Sequence, residues 1–191
     1  MTRSACKAVV IGASAGAVQA LLDILPALPA EGRVIVLVAV HVPADRSNAL
    51  IPLLQTRCRA SLKEAEDKEP ALPGQVYFAP SDYHLLVEQD GSLALSSDEP
   101  VHHARPSIDV LFESAADAWG DALVGVILTG ANADGARGLA AIHAAGGEAL
   151  VQAPAEAAAP TMPAAALAAC PQARVMTLTD IANHLSALTR E

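Results

Sequence analysis

At 191 residues, with 52% apolar but only 3% aromatic residues, the chain can bury one sizeable core filled by Ala, Val, Leu and Ile. A net charge of −9 without a basic stripe excludes nucleic acid as an expected partner. Cys6, Cys58 and Cys170 are odd in number and far apart, which excludes a disulfide framework or a metal-ligand spacing and leaves reduced thiols as the expectation.

The first seven residues lack the apolar stretch of a signal peptide, and the apolar run 34–40 has the length of a strand, too short to span a membrane. A single domain over residues 1–191, cytoplasmic and without membrane insertion, is therefore expected. The apolar residues 8–11 form the first strand, stopped by Gly12-Ala13-Ser14-Ala15-Gly16. A helix over about 18–25 follows, with Val18, Leu21, Leu22 and Leu25 at helical spacing. Strand two, 33–40, is apolar throughout, as a parallel strand covered on both faces must be, and ends in His41-Val42-Pro43. A helix over about 47–57 presents Leu50, Leu53 and Leu54 on one face, and the charged run 62–70 reads as a solvated surface.

The middle of the chain changes character. Residues 75–79 form a short strand, and 85–88 and 92–95 flank Gln89-Asp90-Gly91 as a β-hairpin. Together they read as an antiparallel excursion. Pro106-Ser107-Ile108-Asp109 opens a helix to about Trp119, with a capping serine and an acid in the first turn. Strand 123–128 ends in Thr129-Gly130-Ala131-Asn132-Ala133-Asp134-Gly135 and feeds a helix over about 136–145. Strand 148–152, an Ala- and Pro-rich stretch 153–169, strand 174–176 and a helix over about 180–188 complete the chain. The Ala- and Pro-rich stretch reads either as a flexible linker or as a loop with a short helix from Ala164. The expected fold class is α/β: three layers, α/β/α, with a mostly parallel, doubly wound sheet and a β-hairpin excursion.

Gly12-x-Ser14-x-Gly16 between a strand and a helix is a nucleophile-elbow pattern, in which small neighbours let a tight turn present the serine hydroxyl. The helix N-terminus behind it offers free N–H groups to an oxyanion. A dinucleotide fingerprint is excluded, because Ser14 and Ala17 stand at two of its glycine positions and His41 stands where the ribose-binding acid belongs. Ser14, His41 and Asp134 each lie just past the C-terminal end of an apolar strand, the edge that carries sites in open α/β sheets. They supply a nucleophile, a base and an orienting carboxylate, in an order that differs from that of α/β-hydrolases.

Of the other histidines, His143 and His184 are expected on helix surfaces, His84 flanks a hairpin strand, and His102 and His103 lie in a loop within reach of the site. Tyr83, Arg105 and Met162 are open to either pocket-lining or packing roles. No cofactor is expected.

Across nearly the whole chain the sequence resembles the catalytic domain of the chemotaxis protein-glutamate methylesterase (CheB) family. The matching stretches are Ile11-Gly12-Ala13-Ser14 with Gly16, His41 with Pro43, and Lys63 to Asp67. Leu72-Pro73-Gly74 with Tyr77 and Ala79-Pro80 follow, then the run from Arg105 through Phe112. Gly125 to Gly130 with Asp134-Gly135, and Met162-Pro163, complete the set in family order.

The resemblance implies hydrolysis of γ-glutamyl methyl esters on the cytoplasmic domains of methyl-accepting chemoreceptors, with release of methanol. It also implies deamidation of selected receptor glutamines, and it carries a catalytic triad onto Ser14, His41 and Asp134. A serine esterase with another substrate, and a low-turnover scaffold that binds a signalling partner, are the alternative readings. The family usually has Thr and two glycines after the nucleophile, where Ala15-Gly16-Ala17 stand here. It usually has Gly-Met-Gly before the acid, with one residue between, where Gly130-Ala131-Asn132-Ala133 stand here. The usual aromatic-Gly pair near Met162 is replaced by Pro160-Thr161. The family's N-terminal receiver domain has no counterpart before strand one, so control in trans, by a response regulator or by receptor docking, is the expectation.

Overall fold

The computed structural model describes residues 7–41 and 47–189. Cys6, and the Val42-Pro43 pair expected to end strand two, lie outside the described residues. The strands in chain order are β1 (Ala8–Ala13), β2 (Ile35–Val40), β3 (Ser61–Glu64), β4 (Gln75–Phe78), β5 (His84–Val87), β6 (Leu93–Ser96), β7 (Leu123–Ile127), β8 (Glu148–Gln152) and β9 (Arg174–Met176). The helices are α1 (Ala17–Ile24), α2 (Ser47–Gln55), α3 (Ile108–Trp119), α4 (Ala136–Ala144), α5 (Thr161–Ala169) and α6 (Leu178–Leu188). Seven strands form one parallel sheet in the order β3-β4-β2-β1-β7-β8-β9, and β5 and β6 pair antiparallel as a separate hairpin.

The period-two alternation of the strands divides the core into two layers. Ala8 and Val10 of β1 face the layer built by α3, α4, α5 and the hairpin, with Leu111, Phe112, Leu139, Met162 and Leu85 among its members. Val9, Ile11 and Ala13 face the opposite layer, with Leu21 and Ile24 of α1, Leu54 of α2 and Ile181 of α6. Both faces of β1 and β2 are covered, which is why these strands are apolar at every position. No helix among the described residues is long and apolar enough to cross a membrane.

Several expectations need correction. β4 is not part of an antiparallel excursion: it pairs parallel with β2, and only β5 and β6 form the hairpin. The charged run begins inside β3, an edge strand, and its Lys63 is held by Glu66 and Glu69 at 2.9 Å each. The core face of α1 is Ala17, Ala20, Leu21 and Ile24, while Val18 points outward at 43% exposure. In α2, Leu50 and Leu54 are buried but Leu53 is not. The stretch 153–169 is an ordered loop followed by α5, which starts at Thr161 rather than Ala164. Ser107 does cap α3, its hydroxyl accepting from the Val110 N–H.

α3 and α4 cross closely because Gly138 has no side chain. A Cβ there would stand 2.5 Å from Phe112 Cβ and 3.2 Å from Asp109 Cα, atoms that cannot swing aside. The Gly138 N–H also donates to Asp109 Oδ1 at 2.7 Å, which pins the two helices together. Gly138→Ala is expected to lower stability by about 1–3 kcal/mol, the usual cost of overpacking. Urea unfolding monitored by circular dichroism checks this.

Candidate active site

The chain leaves β1 toward β2 on one side of the sheet and leaves β7 toward β8 on the other. The loops after β1 and β7 therefore part, and a crevice opens at the carboxyl edge between them. Ser14 follows β1, Asp134 lies in the loop after β7, and His41 follows β2, on the other side of β1. Ser14 and His41 line one cleft of about 380 Å³, together with Asn132, His102, His103 and Arg105.

The Ser14 turn is held from several directions. Its N–H donates to the Thr129 carbonyl at 2.9 Å, and its own carbonyl accepts from the Ala17 N–H at 2.9 Å. Gly16 closes the turn at φ +83°, a left-handed conformation that suits glycine. A Cβ there would also meet Ala158 Cβ at 2.8 Å. The buried Thr129 hydroxyl donates to the Ala15 carbonyl at 2.8 Å and accepts from the Ala159 N–H at 2.9 Å. It thereby ties the serine turn to the loop before α5. Gln152 Oε1 in turn accepts the Thr129 N–H at 2.8 Å.

Asp134 is fully buried and accepts four hydrogen bonds. Oδ2 receives His41 Nε2 and the Ile108 N–H, both at 2.7 Å. Oδ1 receives the Ser107 hydroxyl at 2.9 Å and the Asp109 N–H at 3.0 Å. The carboxylate thus sits on the N-terminus of α3, where unpaired N–H groups and the helix dipole favour a negative charge. Burial pushes its pKa up, but the bonds from His41, Asp109 and Ile108 outweigh this and hold it below the ordinary carboxylate value.

The tautomer of His41 follows from its partners. The Asp134 N–H donates to Asn132 Oδ1 at 3.0 Å, so the amide nitrogen of Asn132 is the atom that faces the ring. It lies 3.3 Å from His41 Nδ1. Nδ1 is therefore the acceptor, and the ring proton resides on Nε2, directed at Asp134. Among the described residues, Ser14 Oγ makes no hydrogen bond to His41, although both residues line the same cleft.

Of the remaining expectations, His102 and His103 do reach the cleft, on a loop where both adopt positive φ, 50° and 61°. His102 Nε2 stands 3.2 Å from Asp109 Oδ2, off the angle of a hydrogen bond, and that oxygen is buried without another partner. Burial pushes the Asp109 carboxyl up, against the pull of the Gly138 N–H. Arg105 lines the cleft, but its guanidinium is committed to Asp82 and to the carbonyls of Ser97 and Asp98.

Met162 is buried against Gly130, and Tyr83 is exposed. His84 is buried, accepting the Ser107 N–H on Nδ1 at 3.1 Å. His143 is exposed, whereas His184 is half-buried and bonds Glu148 at 3.1 Å. Cys58 and Cys170 are buried free thiols whose pKa values burial raises, which keeps them unreactive. Ser107 was legible only as a helix cap, and Thr129 only as part of a strand-end run. Neither position advertises in sequence that it braces Asp134 or Ser14. Among the described residues no three His, Cys, Asp or Glu side chains converge as a metal site.

The chain is similar to known proteins over most of its length. The CheB methylesterase family model matches residues 9–185. A putative protein-glutamate methylesterase/protein-glutamine glutaminase of Leptospira interrogans is 44% identical over 177 residues, covering 93% of this chain and 92% of its own. The protein-glutamate methylesterase/protein-glutamine glutaminase of Bordetella parapertussis is 40% identical over 188 residues, covering 96% of this chain and 53% of its own. The crystal structure of the Thermotoga maritima CheB methylesterase catalytic domain superposes with a TM-score of 0.90 at 30% identity, covering 97% of this chain and all of that one. A family model over residues 9–185, and relatives 40–44% identical over 93–96% of this chain, make this protein a member of the CheB methylesterase family.

Proposed function

We propose that the protein is a protein-glutamate methylesterase and glutaminase acting on the cytoplasmic domains of chemoreceptors, with Ser14 as nucleophile, His41 as base and Asp134 as the carboxylate that orients it. The observation that carries this reading is the 2.7 Å bond from His41 Nε2 to the buried Asp134, with Ser14 on the wall of the same cleft. Relatives named for both activities support the substrate class.

The chemistry follows from which nitrogen is free to act. Ser14 Oγ attacks the side-chain carbonyl carbon of a γ-glutamyl methyl ester while Nδ1 of His41 takes the hydroxyl proton. Asp134 stabilises the imidazolium through Nε2–H, and its own depressed pKa keeps it ionised while it does so. Charge develops on the carbonyl oxygen. Among the described residues the Ala15 N–H donates to no protein group, and the residue after an elbow nucleophile is the usual donor to that oxygen. Collapse of the tetrahedral species breaks the C–OCH3 bond, and His41 returns the proton to the leaving oxygen as methanol forms. Water, deprotonated by His41, then cleaves the glutamyl-Ser14 ester to give glutamate. With a glutamine substrate the same steps release ammonia.

Ser14→Ala is expected to abolish methanol release from a methylated receptor fragment, and with it labelling by a serine-reactive phosphonate, while the circular dichroism spectrum is retained. Mass-spectrometric mapping of the labelled peptide in the parent protein is the direct check. A label on another serine overturns the assignment.

Asp134→Asn is expected to act on turnover and on stability separately. Turnover should fall by about 10⁴, since an amide favours the wrong histidine tautomer. Stability near neutral pH should fall by about 2–3 kcal/mol, because an amide cannot accept all four bonds. A carboxyl with a depressed folded pKa contributes stability above its unfolded pKa of about 3.9 and loses it as pH falls through the folded value. The gap between variant and parent should therefore narrow in urea titrations run at successively lower pH below about 4.

A further inference from the structure

Among the cleft side chains that this reaction does not use, Asn132 touches its histidine. Asn132 follows β7 in the loop that carries Asp134, and its amide is fixed at both ends. Oδ1 accepts the N–H of Asp134, two residues on, an Asx turn that locks the amide orientation. Nδ2 is then presented to His41 Nδ1 at 3.3 Å. The other ring nitrogen is taken by Asp134. Both nitrogens of His41 are therefore occupied in the resting structure, and the one a nucleophile needs is occupied by Asn132.

We propose that Asn132 is a positioning residue that holds the proton-accepting nitrogen of His41 and competes with Ser14 for it, so that the nucleophile is engaged only when the Asn132 amide gives way. This rests on the reading of Ser14 and His41 as nucleophile and base. The competitor is tethered by its own turn, so it is always at hand, yet its bond is long and neutral and a seated ester can displace it.

Among the described residues, the other charged or titratable groups around the ring are Asp134 on Nε2 and, from the segment before α3, His102, His103 and Arg105 on the cleft wall. Arg105 is committed to Asp82, and His102 lies beside Asp109. Among the described residues Asn132 is the group hydrogen-bonded to Nδ1.

The test is the rate of phosphonate labelling at Ser14, at one alkaline pH, in the parent, Asn132→Ala and Asn132→Ser. The parent should label on Ser14. Asn132→Ala frees Nδ1 and should label about two- to tenfold faster, the fold-change of one ordinary hydrogen bond. Asn132→Ser keeps a side-chain oxygen to accept the Asp134 N–H but has no amide to reach Nδ1, so it should label faster as well, whereas a purely structural role for the turn predicts the parental rate.

An Asn132→Ala protein that labels no faster overturns the proposal while leaving Ser14 as nucleophile. If the alanine variant does not fold, Asn132→Ser decides: faster labelling supports the proposal and the parental rate overturns it. A parent protein that labels elsewhere than Ser14 overturns the serine–histidine reading and this proposal with it.

Discussion

The structure depends above all on one buried carboxylate. Asp134 receives two backbone N–H groups from the start of α3, the hydroxyl that caps that helix, and the ring of His41. A bare carboxylate in that position would be expelled or protonated. Here the helix end supplies the stabilisation that water would otherwise give. The same four bonds fix the position of α3, the tautomer of His41 and the path of the β7–α4 loop. One carboxylate therefore braces a helix, a ring and a loop at once. His41, by contrast, is anchored to the scaffold through its backbone N–H and the Ala13 carbonyl, and its ring depends on what Asp134 and Asn132 offer it.

Topology explains why these groups meet. The central strand β1 has β2 on one side and β7 on the other, and the chain departs in opposite directions from β1 and β7. Among the described residues no helix crosses the gap between their carboxyl ends. Small residues let the surrounding elements close in on it: a Cβ at Gly12 would stand 2.4 Å from Ile108, and one at Gly130 would stand 2.5 Å from Met162. The start of α3 and the start of α5 thus come right up to the strand ends, where an alanine at either glycine would push Ile108 or Met162 back.

Much of this was legible in the sequence, for physical reasons that differ from residue to residue. Uninterrupted apolar runs announced β1, β2 and β7, because strands buried on both faces have no polar positions to alternate. A serine and a histidine directly past two of those runs, and an aspartate in the loop past the third, marked the carboxyl edge. What short-range pattern does not encode is pairing. β4 reads like any short strand, and only its partner β2, reached after two intervening elements, makes it part of the main sheet. The amphipathic face of α1 was misplaced because Ala17 and Ala20 are core residues as surely as leucines, yet carry little hydrophobic signal. Asn132 was visible as a departure in a loop. Its partner is a ring 91 residues away, and nothing local points there.

The His41–Asp134 bond spans 93 residues of sequence and joins loops from two strands that do not pair with each other. It has no local precursor. The hairpin of β5 and β6 can form early, from neighbours, but the histidine and the aspartate meet only after β1 has been sandwiched between β2 and β7. In topological terms the contact is a signature of the completed sheet: a chain that holds it must already have β2, β1 and β7 side by side.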